Sequence, residues 1–167
     1  MRIPGIIVPI VSILALFALA GCGSSSDQPT PPPGGSFTNS ALNGTYVVSF
    51  SGYDTSNGYG SYFSVLGSVT ANGSGGFTNG TIDIDDPALG SALRSNYAFT
   101  HLPTSGTYNV TSDGRGTGNI SVSINGTNVQ FGLDFVLTSN SHGAITRFDS
   151  YGSGSGAIDL QSANLAQ

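Results

Sequence analysis

The sequence predicts an all-β domain, an eight-stranded antiparallel up-and-down meander closing into a barrel, with a two-sheet β-sandwich as the alternative. Three observations predict it. A turn of the form T-[AS]-[ND]-[GS]-x-G is written four times, at Thr55–Gly60, Thr70–Gly75, Thr111–Gly116 and Thr138–Gly143, and Asn125-Gly126 adds a fifth turn. Asn, Asp and Gly tolerate positive φ, so such turns between alternating apolar runs mark hairpins. Apolar residues between the turns recur with period two, as in half-buried strands. Finally, the 167 residues contain no Lys, Glu or Trp, while Gly, Ser, Thr and Asn dominate the polar set, which favours strands and turns over long helices.

The chain opens with an apolar run from Ile3 to Ala20, interrupted by Pro4, Gly5 and Pro9. Its length and breaks suit an export signal better than a membrane span. The run ends in Leu19-Ala20-Gly21-Cys22, which resembles the lipobox of bacterial lipoproteins. That resemblance implies a signal peptide over 1–21, cleavage after Gly21, diacylglycerol on the Cys22 sulfur and acylation of the new N-terminus. Two or three acyl chains anchor stably where one is marginal. By the same resemblance, Gly23 in place of Asp favours the outer membrane. Cys22 is the single cysteine, so no disulfide forms within the chain.

Residues 22–36 are rich in Gly, Ser and Pro and have nothing apolar to bury, and they read as a flexible tether. The barrel domain is placed at 37–161, with a tail at 162–167.

In the first strand, Gly44–Gly52, Tyr46, Val48 and Phe50 share one face. Phe63, Val65, Gly67 and Val69 do so in the second, and Ile82 and Ile84 end the third. An irregular stretch from Asp86 to Ser105 follows, where Asp86 as N-cap and Pro87 at the first helical position predict a short helix through Leu93. Tyr97, Phe99 and His101 then alternate as a short strand that breaks at Pro103, before a full fourth strand at Gly106–Thr111. Ile120, Val122 and Ile124 mark the fifth strand, and Val129, Phe131, Leu133, Phe135 and Leu137 the sixth. On the seventh, Ala144, Thr146 and Phe148 oppose Ile145, Arg147 and Asp149; Ile158 and Leu160 mark the eighth. Gly152-Ser-Gly-Ser-Gly156, between these two, reads as a turn.

The segments Leu42–Tyr46, Gly67–Gly73, Gly106–Tyr108, Ser112–Gly116 and Gly154–Ile158 resemble a repeat family of bacterial lipoproteins and secreted proteins. The resemblance covers most of 43–161; it implies turn chemistry and no catalytic role. The Gly-x-Tyr opening and the one-strand-per-turn meander are similar also to lipocalin-like and avidin-like barrels, with Tyr46 where those families place a Trp.

Nine Asp against four Arg leave no basic patch, which excludes a nucleic-acid footprint and electrostatic attachment to anionic lipid. His101 and His142 alone cannot form a multi-histidine metal site. Asp83, Asp85 and Asp86 are the only acidic cluster and a weak calcium candidate, because their spacing is not that of an EF-hand. No Ser lies at a strand-to-helix elbow, so no hydrolase constellation is found. The expectation is a non-enzymatic, monomeric, lipid-anchored envelope barrel without a cofactor. Its long segment, with Arg94, Tyr97, Phe99 and His101, is the candidate contact with an envelope partner. The alternative is a small apolar ligand inside the barrel, which requires that Phe50, Phe63, Phe131, Phe135 and Phe148 do not all point inward.

Overall fold

The computed structural model describes residues 36–161 except Asn57 and Tyr59. The export segment, Cys22, the tether and the tail from residue 162 lie outside the described residues. Eight antiparallel strands follow one another around a closed barrel: β1 (Asn43–Asp54), β2 (Ser61–Asn72), β3 (Gly76–Asp85), β4 (Ala98–Val110), β5 (Arg115–Ile124), β6 (Thr127–Ser139), β7 (His142–Phe148) and β8 (Gly152–Leu160). Closure is made by β8 against β1, from Tyr46 opposite Leu160 to Asp54 opposite Gly152. The ring therefore has no free edge.

Alternation sets the interior. Tyr46, Val48 and Phe50 of β1, Phe63, Val65 and Val69 of β2, and Phe131, Leu133, Phe135 and Leu137 of β6 all point inward and are buried. Phe50 meets Phe63 and Phe131 edge-to-face across the middle, at 6.1 and 6.4 Å between ring centres. On β7 the buried parity is Ile145 and Arg147, so Phe148 points outward and is 72% exposed.

Because successive turns alternate between the barrel's ends, three of the four repeated turns gather at one end. There they hold a 3-10 turn, Asn39–Ala41. Gly73 N–H donates to Leu42 O at 3.0 Å, Phe37 N–H to Ser112 O at 3.3 Å, and the Tyr46 hydroxyl to Asn140 O at 2.8 Å. Leu42 is fully buried beneath, and the Tyr108 hydroxyl donates to its carbonyl at 2.8 Å. The fifth turn, Asn125-Gly126, lies at the opposite end with φ of 51° and 81°, the left-handed pair a tight hairpin requires.

That opposite end is closed by the helix α1 (Pro87–Ala92), which buries Ala88 and Leu89. Asp86 caps it as expected, accepting from Leu89 N–H at 3.0 Å, with Pro87 in the first turn.

Two expectations are corrected. β4 is continuous from Ala98 to Val110 and does not break at Pro103. The ladder absorbs the proline by register shifts against β3 and by a left-handed His101, φ 57°. Gly152–Gly156 is not a turn but the first half of β8. A Cβ on Gly154 would lie 2.5 Å from Ser51 O and 2.9 Å from Phe63 Cζ, and one on Gly152 2.8 Å from Arg147 Cζ. The glycines let β8 run close past bulky interior side chains.

Candidate functional site

The most unusual chemistry lies inside the α1 end. Arg147, the last inward residue of β7, is only 3% exposed and sits between two rings, its Cζ 4.9 Å from the centres of both Phe63 and Phe131. Cation–π attraction on both faces offsets part of its desolvation. Its edge is met by carboxylates from three other places in the chain. Nε donates to Asp149 Oδ2 at 2.8 Å and Nη2 to Asp149 Oδ1 at 3.3 Å, a forked contact with the turn after β7. Nη1 lies 2.5 Å from Asp54 Oδ2 at the end of β1 and 3.9 Å from Asp86 Oδ2 before α1.

The three acids differ. Asp149 also accepts from the N–H groups of Tyr151 and Gly152, each at 2.9 Å, and of Gly132 at 3.3 Å. Burial pushes its carboxyl up, but the Arg147 hydrogen bonds, these turn amides and the Arg147 charge outweigh it and hold it below the ordinary value. Asp54 folds the following turn onto itself, Oδ1 accepting from Ser56 N–H at 2.7 Å and from the Ser56 hydroxyl. Asp86 is fully buried; burial raises its carboxyl, the Leu89 N–H opposes, the Asp54 charge raises it further, and Arg147 opposes again. Burial lowers Arg147, yet its bonds to Asp149 and the charges of Asp54 and Asp149 leave it raised. Asp54 Oδ2, Asp86 Oδ2 and Arg147 Nη1 are close but not aligned as hydrogen bonds, so charge rather than directed bonding joins them.

Chemically this cluster ties β1, β7, the β7–β8 turn and the α1 plug together, with Arg147, Asp54 and Asp86 out of contact with solvent. Nothing in the sequence reading singled out Arg147. The available signal was parity: Arg147 shares a face with Ile145 and stands opposite Gly154, whose missing side chain leaves room for a large one.

The expected site residues fall elsewhere. Asp83 and Asp85 point outward while Asp86 turns into the barrel, so the three do not form one calcium site. Asp83 Oδ1 instead accepts from His101 N–H at 2.6 Å. Among the described residues no group of three His, Cys, Asp or Glu side chains could hold a metal ion. Of the partner-contact residues, Arg94, Tyr97 and His101 are exposed, whereas Phe99 is 9% exposed and belongs to the core. The segment carrying them is not a projecting loop: its helix is the plug, and Asp86 N–H donates to Tyr97 O at 2.9 Å. His142 opens β7, with Nδ1 against Asp159 Oδ1 on the outer wall. The chain matches no protein-family model, no curated protein and no solved structure.

Proposed function

We propose that this chain is a lipid-anchored protein of the cell envelope, probing its surroundings with the outside of a solid barrel rather than catalysing a reaction. The observation that carries the reading is Leu19-Ala20-Gly21-Cys22, a single cysteine set at the end of an apolar export segment and followed by a Pro- and Gly-rich tether. Supporting it, four Arg and no Lys leave no polybasic stretch for electrostatic attachment to anionic lipid. The outer membrane is the preferred address, on the strength of Gly23.

Interior ligand binding is the less favoured reading. The same Phe50, Phe63 and Phe131 that would line a container meet one another, and Arg147 occupies the space beside them. The anchor is tested by metabolic palmitate labelling of wild type and Cys22→Ser. Label and detergent-phase partitioning are expected in wild type and lost in the variant; labelling that survives the substitution contradicts the proposal.

A further inference from the structure

The register orders the outer wall of β7, β8, β1 and β2 into rows of contrasting chemistry. Nearest the α1 end, Phe148 pairs with Ser153, Ser153 with Tyr53, and Tyr53 with Tyr62. The three aromatic residues of this row are 72%, 45% and 82% exposed respectively. The Tyr53 and Tyr62 rings meet at 5.5 Å and 77°, forming a corner with one face and one edge. Tyr53 lies against the backbone of Gly60, where a Cβ would collide with its ring.

The next row is hydroxylic: Thr146, Ser155, Ser51 and Ser64 stand in register, with Asp134 beyond Thr146 and Asp85 beyond Ser64. Thr146 and Ser155 also line a groove of about 370 Å³, together with Val136, Ala144 and the charged Asp134 and Arg115.

From these rows we infer that the wall is a binding site for an extended, uncharged polysaccharide. A pyranose ring has an apolar face of axial C–H bonds and a rim of hydroxyls. The aromatic row offers surfaces for the first, and the parallel row of Ser, Thr and Asp offers donors and acceptors for the second. The row from Phe148 to Tyr62 crosses three strand spacings, about 14 Å, which exceeds one sugar ring and calls for a chain. The groove has the volume of a small-ligand site, ~300 Å³ or more. Charge does not favour an anionic occupant, since the ionised groups in the two rows are both carboxylates and Arg115, which also lines the groove, lies 3.6 Å from Asp113 Oδ2. The inference does not rest on the lipid anchor and stands or falls separately from it.

The test uses the full chain in mild detergent, run through native gels containing hydroxyethylcellulose or glycol chitin, followed by calorimetry with cellohexaose and chitohexaose. Retardation by at least one polymer is expected. Tyr62→Ala and Phe148→Ala should each weaken binding about tenfold, the loss of one good stacking contact, whereas Tyr97→Ala beside α1 should leave it unchanged. Thermal midpoints of all three should stay at the wild-type value, because these side chains are exposed. Migration unaffected by either polymer overturns the proposal, as does binding that ignores Tyr62 and Phe148. Concentration-dependent dimerisation abolished by Tyr62→Ala, without saccharide binding, overturns it in favour of a second copy of this chain.

Discussion

Arg147 Nη1 lies 2.5 Å from Asp54 Oδ2, and the two residues, 3% and 1% exposed, come from strands on either side of β8. The contact joins the end of β1 to the inward face of β7 across the glycine half of the intervening strand. A buried ion pair gains little over a well-packed apolar pair, but removing one member leaves the other charge stranded in a medium that solvates it poorly.

Arg147→Met should therefore destabilise the domain by about 3–5 kcal/mol. Arg147→Lys keeps the charge but loses the fork to Asp149 and the stacking between Phe63 and Phe131, and should fall between the two. Urea denaturation measures both. A Met variant as stable as wild type would mean that the carboxylates are already neutralised by another route.

The pH dependence of that end has a definite sign. Asp86 holds its proton to a higher pH in the folded chain than the ordinary 3.8, mainly because it is buried. The unfolded chain releases the proton first, so this group favours folding most below that value, and its contribution is lost as pH rises toward the raised folded value. Asp149, held low, works the other way, its stabilisation being present above 3.8 and lost as pH falls. Asp86→Asn keeps an oxygen for Leu89 N–H but has no proton to release. Relative to wild type it should gain stability between about pH 4 and about pH 7. The check is the difference in urea midpoints at the two pH values, and a pH-independent difference would contradict the assignment.

The meander was legible because each turn carries its own chemistry and each strand its own period. Asn125-Gly126 and the Asp86-Pro87 start of α1 sit where their residue types require them. What escaped was whatever depends on partners distant in sequence. Pro103 breaks a strand by local rules, yet the β3–β4 register accommodates it. Gly152, Gly154 and Gly156 look like a turn by composition, and only their tertiary neighbours explain glycine in a strand: Arg147 at Gly152, Ser51 O and Phe63 at Gly154, and the backbone of Ser49 and Phe50 at Gly156. Arg147 shows only its parity locally, since a charged residue at an inward position is sensible only once Asp54 and Asp86, distant in sequence, join the neighbouring Asp149.

Gly154→Ala tests that close approach. Its new Cβ would meet Ser51 O, a backbone atom with little freedom to yield, so a cost of about 1–3 kcal/mol is expected. Ser153→Ala, one residue away and exposed, should change stability by no more than about 0.5 kcal/mol. Equal effects at the two positions would show that β8 does not need its glycines.

At the end held by the repeated turns, the Tyr108 hydroxyl donates to Leu42 O at 2.8 Å in a buried setting. Tyr108→Phe keeps the ring against Phe77, 4.8 Å between centres, and removes only the donor. Leu42 O keeps the Gly73 N–H, so the loss is one net hydrogen bond, about 0.5–1.5 kcal/mol, measured by thermal or urea unfolding. An unchanged midpoint would show that the 3-10 turn is held by its apolar residues alone.

Phe131 and Phe148 separate interior from surface with the same chemistry on opposite faces. Phe131 is 1% exposed, meets Phe50 edge-to-face and lies against Arg147, so Phe131→Ala opens a void and uncovers a buried cation. A loss of about 3–5 kcal/mol is expected from the void alone. Phe148 belongs to the outward parity of β7, and Phe148→Ala should stay within about 0.5 kcal/mol of wild type. Comparing the two by urea denaturation tests the parity of β7 directly, because a one-residue slip would carry Arg147 to the surface and Phe148 into the core. A large loss at Phe148 with a small one at Phe131 would overturn both the filled interior and the burial of Arg147.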